Sequence, residues 1–309
     1  MFCQQKINPL DFPLSGCHIG SMKNNAIEIE NLPDLRKPLL IAGFGGWGNA
    51  LDISNAMVTY LIRQLKAKPF AKINPDLFYR YDEDRPIVNI KEGVLKSVSP
   101  PGGSFFAAHP LGGVTDLVIF RAGEPSLRWS LFADELLRLC GKLGVRAIIT
   151  LGSMYDNVLH SDRIISGIAS EEDFSSKLRE KTVIPINYQG PSAIHSTLHQ
   201  EGRKRGFPCI SLWCHCPYYL QGTTHFGLLS HLGSLLASLG EFVLDVEELD
   251  ASWKELKKQI QTLIEKNPEL QNMISELRKA KVRGTWESMK EGAGKDEKVI
   301  HLEDFIGPR

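Results

Sequence analysis

Apolar positions along this chain follow two rhythms in alternation. Continuous apolar runs of strand length fall at 38–44, 85–90, 94–98, 116–120, 145–151, 163–169 and 207–214. Between several of them the spacing becomes helical. Ile53, Met57, Tyr60, Leu61 and Leu65 share one face, and Leu131, Phe132, Leu136, Leu139, Cys140 and Leu143 share another. Two more helices are predicted over about 191–205 and 224–239; the second is apolar almost all round, the pattern of a helix sandwiched between other elements.

Strands with no polar face, alternating with helices, imply a sheet covered on both sides, so the predicted fold is an α/β three-layer α/β/α sandwich. Lys91-Glu92-Gly93 between two strand-like runs reads as a hairpin turn, which makes part of the sheet antiparallel and the whole mixed. After Asp250 the chain turns to mixed charge with helical spacing. Ser252 and Glu255 suggest a capping box before Leu256, Ile260, Leu263 and Ile264, and Asn267-Pro268 opens a second helix bearing Leu270, Ile274 and Leu277. The expected organisation is a loop-rich leader over 1–36, with at most a short strand near 26–29, then a layered domain over 37–250, a helical hairpin over 251–290 and a flexible tail over 291–309.

Charge narrows the partners. Lys plus Arg and Asp plus Glu both number 36, so the chain lacks the basic excess that nucleic acid or an anionic membrane would select. No apolar run approaches the roughly 18 residues of a membrane helix, and the first residues lack the basic and apolar regions of a signal peptide, so a cytoplasmic protein is expected. The cysteines are too sparse for a disulfide framework. Cys209, Cys214, His215 and Cys216 cluster, but along an extended run they point to alternating faces, and the expectation is buried strand thiols with no metal and no cofactor.

The candidate chemistry gathers at loops that follow strands. GFGGWGNA at 43–50 leaves an apolar run and enters a helix, where backbone amides and a helix dipole attract anions. Its residue code is neither a Walker loop, having no lysine, nor a dinucleotide fingerprint, since no acidic residue closes a strand near 63–70, a segment read as still helical. Two readings stand: Gly45, Gly46, Trp47 and Asn49 as a ligand loop, or glycines that permit a fixed turn anchored by Trp47. Glu124 and Arg128, after the run at 116–120, can reach the same rim. So can His160 and Arg163, with Asp156 and Asp162 nearby, after the run at 145–151. His195 and His199 stand i, i+4 on a predicted helix, but no third metal ligand is evident. No Gly-x-Ser-x-Gly elbow marks a serine nucleophile, so the motifs lean away from an enzyme.

An ordered set of short stretches resembles the PAC2 family, named after proteasome assembly chaperone 2. It comprises Gly46-Trp47-Gly48-Asn49-Ala50, Asp84-Arg85-Pro86, Gly123-Glu124-Pro125 with Trp129, Leu151-Gly152, His160 to Arg163, Tyr188 to Ser192 and Gly206 to Trp213. The resemblance covers about 37–250 and the helical hairpin. It implies a fold similar to the purine nucleoside phosphorylase-like sandwich, self-association into a homo-oligomer, and action through protein partners as an assembly chaperone or scaffold; it carries no agreed catalytic set. The relatives that dock on proteasomes end in a hydrophobic-Tyr-X tail, whereas this chain ends Phe305-Ile306-Gly307-Pro308-Arg309, which speaks against docking by that route. The alternative reading is an enzyme or sensor for a nucleoside- or phosphate-type small molecule, using Gly45, Gly46, Trp47, Asn49, Glu124, Arg128, His160 and Arg163 in a cleft at the sheet's C-terminal edge, a suggestion that rests on fold analogy.

Overall fold

The computed structural model describes residues 25–282. Leu39–Gly45 (β2) is buried along almost its whole length, because it lies mid-sheet with both faces covered. It runs parallel to Leu117–Gly123 (β7) on one side and Ala147–Asp156 (β8) on the other, and Cys209–Pro217 (β11) runs parallel beside β8. Beyond this parallel centre the sheet changes sense. Gly103–Ala108 (β6), Lys68–Ile73 (β3) and Ile27–Ile29 (β1) follow antiparallel on the β7 side. On the other, Ile165–Ala169 (β9) is antiparallel to β11 and carries the short Ile184–Pro185 (β10). Among the described residues the order is β1-β3-β6-β7-β2-β8-β11-β9-β10.

Strand alternation divides the core into two layers. Leu39 and Ile41 face Met57 and Leu61 of Ile53–Gln64 (α1) and Leu232 and Leu236 of Phe226–Gly240 (α6); Leu40, Ala42 and Phe44 face Phe132 and Leu136 of Trp129–Leu143 (α3) and Ile194 and Leu198 of Ile194–Lys204 (α5). The three-layer α/β/α sandwich with a mixed sheet is the observed architecture. The all-round apolar pattern of α6 has its cause here, since α6 is covered outside by Trp253, Leu256 and Ile260 of Glu247–Lys266 (α7). Pro268–Val282 (α8) folds back from α7 at Asn267, whose Oδ1 accepts the amides of Glu269 and Leu270 at 3.0 and 3.2 Å. Two short helices, Pro75–Phe78 (α2) and Glu172–Glu180 (α4), link strands at the sheet's two ends.

Three expectations change. The proposed capping box is not a helix start: α7 begins at Glu247, because Leu249 is already buried in the seam with α6 and extends the apolar phase upstream of Ser252. The segment after α1 is not helical as far as Phe70. Lys66 takes a left-handed φ of 50° that ends the helix, and β3 follows. Because β3 pairs antiparallel with β6, and β6 and β7 both stand between it and β2, the unit is not a dinucleotide-binding βαβ with adjacent parallel strands. β6 has too little apolar periodicity to be recognised; it exists because Phe105 stacks on Phe120 of β7, ring centroids 4.1 Å apart. The tail over 291–309 lies outside the described residues.

The turn at Glu92 and Gly93, with φ of 54° and 74°, joins Ile87–Lys91 (β4) to Val94–Ser99 (β5) as predicted, but the two strands form a separate sheet. Every residue of both is exposed, Ile87 to 74%, Ile90 to 61% and Leu95 to 57%. The arm springs from the same edge as the parallel strand ends: Tyr79, shortly before it, donates its hydroxyl to the carbonyl of Gly123 at 2.9 Å.

Candidate functional site at the C-terminal edge of the sheet

β2, β7, β8 and β11 point their C-terminal ends the same way, and beside them, on the α5 side of the sheet, opens a cleft of about 2080 Å³. Its floor follows from strand alternation: Ser211, Trp213 and His215 of β11 and Ile164, Ser166 and Ile168 in and before β9 all line it. Trp213 can lie across β8 because residue 152 is glycine; a Cβ there would stand 2.7 Å from the indole ring. The segment 186–193 and the start of α5 form the opposite wall, and Gly46, Trp47 and Asn49 form the lip, with Trp47 64% exposed.

The glycine stretch behaves as a built turn. Gly46, at φ 107°, passes against the Glu124 side chain, and the Glu124 amide donates to the Gly45 carbonyl at 2.9 Å. Glu124 Oε1 accepts the Ile194 amide at 2.8 Å, so one carboxylate satisfies the first turn of α5 and joins it to β2 and β7. Asn49 Oδ1 accepts the Ser54 amide at 2.8 Å, its Nδ2 donates to Asp52 at 2.7 Å, and Leu51 and Asp52 both take left-handed φ. The start of α1 is thereby occupied by the chain's own groups and faces a carboxylate.

The remaining candidates separate. Gly46, Trp47 and Asn49 line the cleft; Gly45 and Glu124 stand immediately behind the lip. Arg128 is exposed at the start of α3, in the left-handed conformation. His160 turns away under α6 and α7. Its amide donates to the Tyr219 hydroxyl at 2.6 Å, the same hydroxyl meets its Nδ1 at 2.8 Å, and Trp253 lies 6.4 Å away between ring centroids. Burial first, then the Arg278 and Lys257 charges, pushes His160 down to about 4. Arg163 is exposed on that same side, near enough to His225 and His231 to help depress both after burial has done most of the work. The bend bearing His160 still reaches the cleft through Leu159 and Asp162.

Other imidazoles occupy the cleft wall. His195 Nε2 meets the Leu151 carbonyl at 2.8 Å, so Nδ1 is the acceptor nitrogen, and it has no hydrogen-bond partner among the described residues. Burial lowers His195 to about 4, which keeps it neutral. Cys209 faces the α3–α5 layer and Cys214 and Cys216 the α1–α6 layer; burial pushes all three thiols up. Among the described residues no group of three His, Cys, Asp or Glu side chains is placed to hold a metal, and no helix is long and apolar enough to cross a membrane.

One arrangement was not marked by any motif. Asp156 ends β8, His215 lies on β11 and Ser166 on β9, three neighbouring strands with these side chains on one face. His215 Nδ1 stands 2.7 Å from Asp156 Oδ2 and its Nε2 2.8 Å from Ser166 Oγ. Asp156 figured in the sequence only as a neighbour of His160, and His215 only as a member of the cysteine cluster. Ser166 carries no local signal, because the strand order that sets it beside His215 is not written in either segment.

Comparison with known proteins gives this arrangement a setting. The PAC2 family model matches residues 40–264. The structure is similar to the crystal structure of a PAC2 family protein from Streptomyces avermitilis, with 27% identity, TM-score 0.69 and coverage of 77% of this chain and 99% of that one. It also shares its fold with a proteasome-assembly chaperone homologue of Mycobacterium tuberculosis (24% identity, TM-score 0.67, 76% and 99% covered) and with PbaB, an archaeal proteasome activator of Pyrococcus furiosus (21%, 0.60, 77% and 97%). No curated protein matches. The match over most of the layered domain and into α7 settles the relationship: this chain belongs to the PAC2 family.

Proposed function

We propose that this protein acts through protein–protein contacts in the manner of an assembly chaperone or scaffold, works in the cytoplasm, and associates with copies of itself. The observation that carries the reading is the β4–β5 arm. Six aliphatic side chains, Ile87, Val88, Ile90, Val94, Leu95 and Val98, are each more than half exposed on a two-stranded sheet that, among the described residues, is separate from the main sheet and buries none of its positions. An isolated hairpin is at best marginal in water, and exposed aliphatic side chains concentrated on one ribbon mark a contact element. Relatives of the same fold named as a proteasome-assembly chaperone homologue and a proteasome activator support protein partners. Light scattering on the full chain at tens of micromolar tests the proposal: an oligomer is expected, with Val88→Asp and Val98→Asp shifting it to monomer while the helical circular dichroism is kept. A wild-type monomer across that range overturns self-association.

A second reading, a small-molecule enzyme or sensor, is supported by the volume of the cleft and its place at the ends of the parallel strands. In it, Gly46, Trp47 and Asn49 supply the lip and Gly45 and Glu124 hold the lip in place. A rise in melting temperature with millimolar nucleoside or phosphate supports a ligand of that type, and an unchanged melting temperature excludes it.

A further inference from the structure

We propose that Ser166, His215 and Asp156 form an acyl-transfer triad that hydrolyses a carboxylic ester bearing an apolar acyl group. The inference shares with the second reading above only the premise that the cleft admits a small molecule.

Geometry assigns the roles. Asp156 Oδ1 already accepts the Asn157 amide at 2.8 Å, which turns Oδ2 toward His215. An ionised carboxylate accepts only, so His215 Nδ1 carries the proton, Nε2 keeps its lone pair, and the Ser166 hydroxyl donates to it. Nucleophile, base and orienting acid thus stand in hydrogen-bonded series, each from a different strand, the constellation that recurs on unrelated folds and is known by geometry rather than by order in the chain. Ser166 sits on a strand rather than a sharp elbow, so it escapes motif reading. The cleft reaches all three side chains, although Ser166 itself is only 2% exposed.

The surroundings select the substrate. Ile164 and Ile168 flank Ser166 on its own face, and Ile184 is its register partner on β10; all three line the cleft and offer an apolar seat for an acyl group. The far wall, with Gln200 and Arg203 of α5, suits a polar alcohol portion.

The steps balance without any redox partner. Ser166 Oγ forms a bond to the ester carbonyl carbon as its proton passes to His215 Nε2. The carbon–oxygen bond to the alcohol breaks, and that oxygen takes the proton from Nε2. Water then attacks the acyl-serine carbon and gives a proton to Nε2, the Oγ–carbon bond breaks, and Ser166 recovers the proton as the carboxylic acid departs. Ester plus water becomes acid plus alcohol.

The first test needs no variant. The full chain is incubated with a fluorophosphonate, which loses fluoride to form an Oγ–phosphorus bond with an activated serine, and the product is read by intact mass and peptide mapping. A single adduct on Ser166 is expected; no adduct there overturns the proposal. With p-nitrophenyl butyrate, Ser166→Ala and His215→Ala should each lose about 10³-fold or more in kcat. Asp156, which touches the base and not the substrate, acts as a positioning residue: Asp156→Asn should cut kcat by roughly 10²- to 10⁴-fold with KM little changed and displace the pH–rate profile. A Ser166→Ala protein that melts like wild type and hydrolyses the ester at the wild-type rate overturns the triad. These results are independent of the nucleoside and phosphate melts, which bear only on the earlier reading.

Discussion

Two imidazoles on opposite faces of the same sheet edge make an instructive pair. His160 is sealed beneath α7, with Tyr219 and Trp253 around it, and burial holds it neutral. His215 is bound at both ring nitrogens by an acid and a hydroxyl, and it looks into the cleft. Each lies close to an aspartate in the fold, yet one is part of the packing and the other is set among groups that can move a proton. Proximity in sequence to charged residues therefore says little about which histidine can work; the face of the strand it occupies says more.

The largest expected effect tests the packed side. Trp253 stacks on His225 with ring centroids 4.6 Å apart and is 7% exposed. Trp253→Ala should cost about 3–5 kcal/mol in urea unfolding, while His215→Ala should cost about 1 kcal/mol; equal losses would erase the contrast. Next, Gly152→Ala forces a methyl into the Trp213 ring and should cost roughly 1–3 kcal/mol, moving the Trp213 indole resonance but not that of Trp253. A shift of both would mean that the two faces are not independent.

Acid sharpens the comparison further. His160 and His225 are both lowered to about 4, with burial the leading cause, against an ordinary value of 6.5. Between those values the unfolded chain takes up protons that the folded chain refuses, so stability is full above pH 6.5 and falls as the pH drops toward 4. The loss between pH 7 and pH 5 should be roughly 1–2 kcal/mol per imidazole. Chemical denaturation across that range checks it, and His160→Gln should flatten part of the slope. A slope unchanged in that variant would assign the acid sensitivity elsewhere. The smallest effect belongs to the cleft: Glu124→Gln weakens the charge at the start of α5 and should cost about 0.5–1 kcal/mol, read as faster amide exchange in the first turn of that helix.

Much of the fold was legible because the central strands are buried on both faces and declare themselves as apolar runs, as 38–44 and 145–151 do. β3 and β6 were not, since these antiparallel strands outside the parallel centre carry lysine or small residues and owe their existence to pairing. At the candidate site, the lip at Gly46, Trp47 and Asn49 could be read from local turn chemistry. His160 was drawn to the rim because its loop leaves a strand end, and the Tyr219 hydroxyl that captures it lies 59 positions away in the chain. Ser166, His215 and Asp156 come together only through the order β8-β11-β9, in which an antiparallel strand is laid against a parallel one. No local pattern encodes that choice.

The exposed arm has a consequence for how the chain is made. Its two-residue turn closes a local contact, and hairpins of this kind form in microseconds, before the long-range pairings of the sheet. A sticky ribbon is therefore sampled early by the newly made chain, and a partner that covers it would hold it. Pro86 and the pair Pro100-Pro101 bracket it, and Lys91 and Lys96 interrupt its edges. Prolines and lysines at such positions block the endless edge-to-edge stacking that leads to fibrils, while leaving the flat sides open to a partner of limited size.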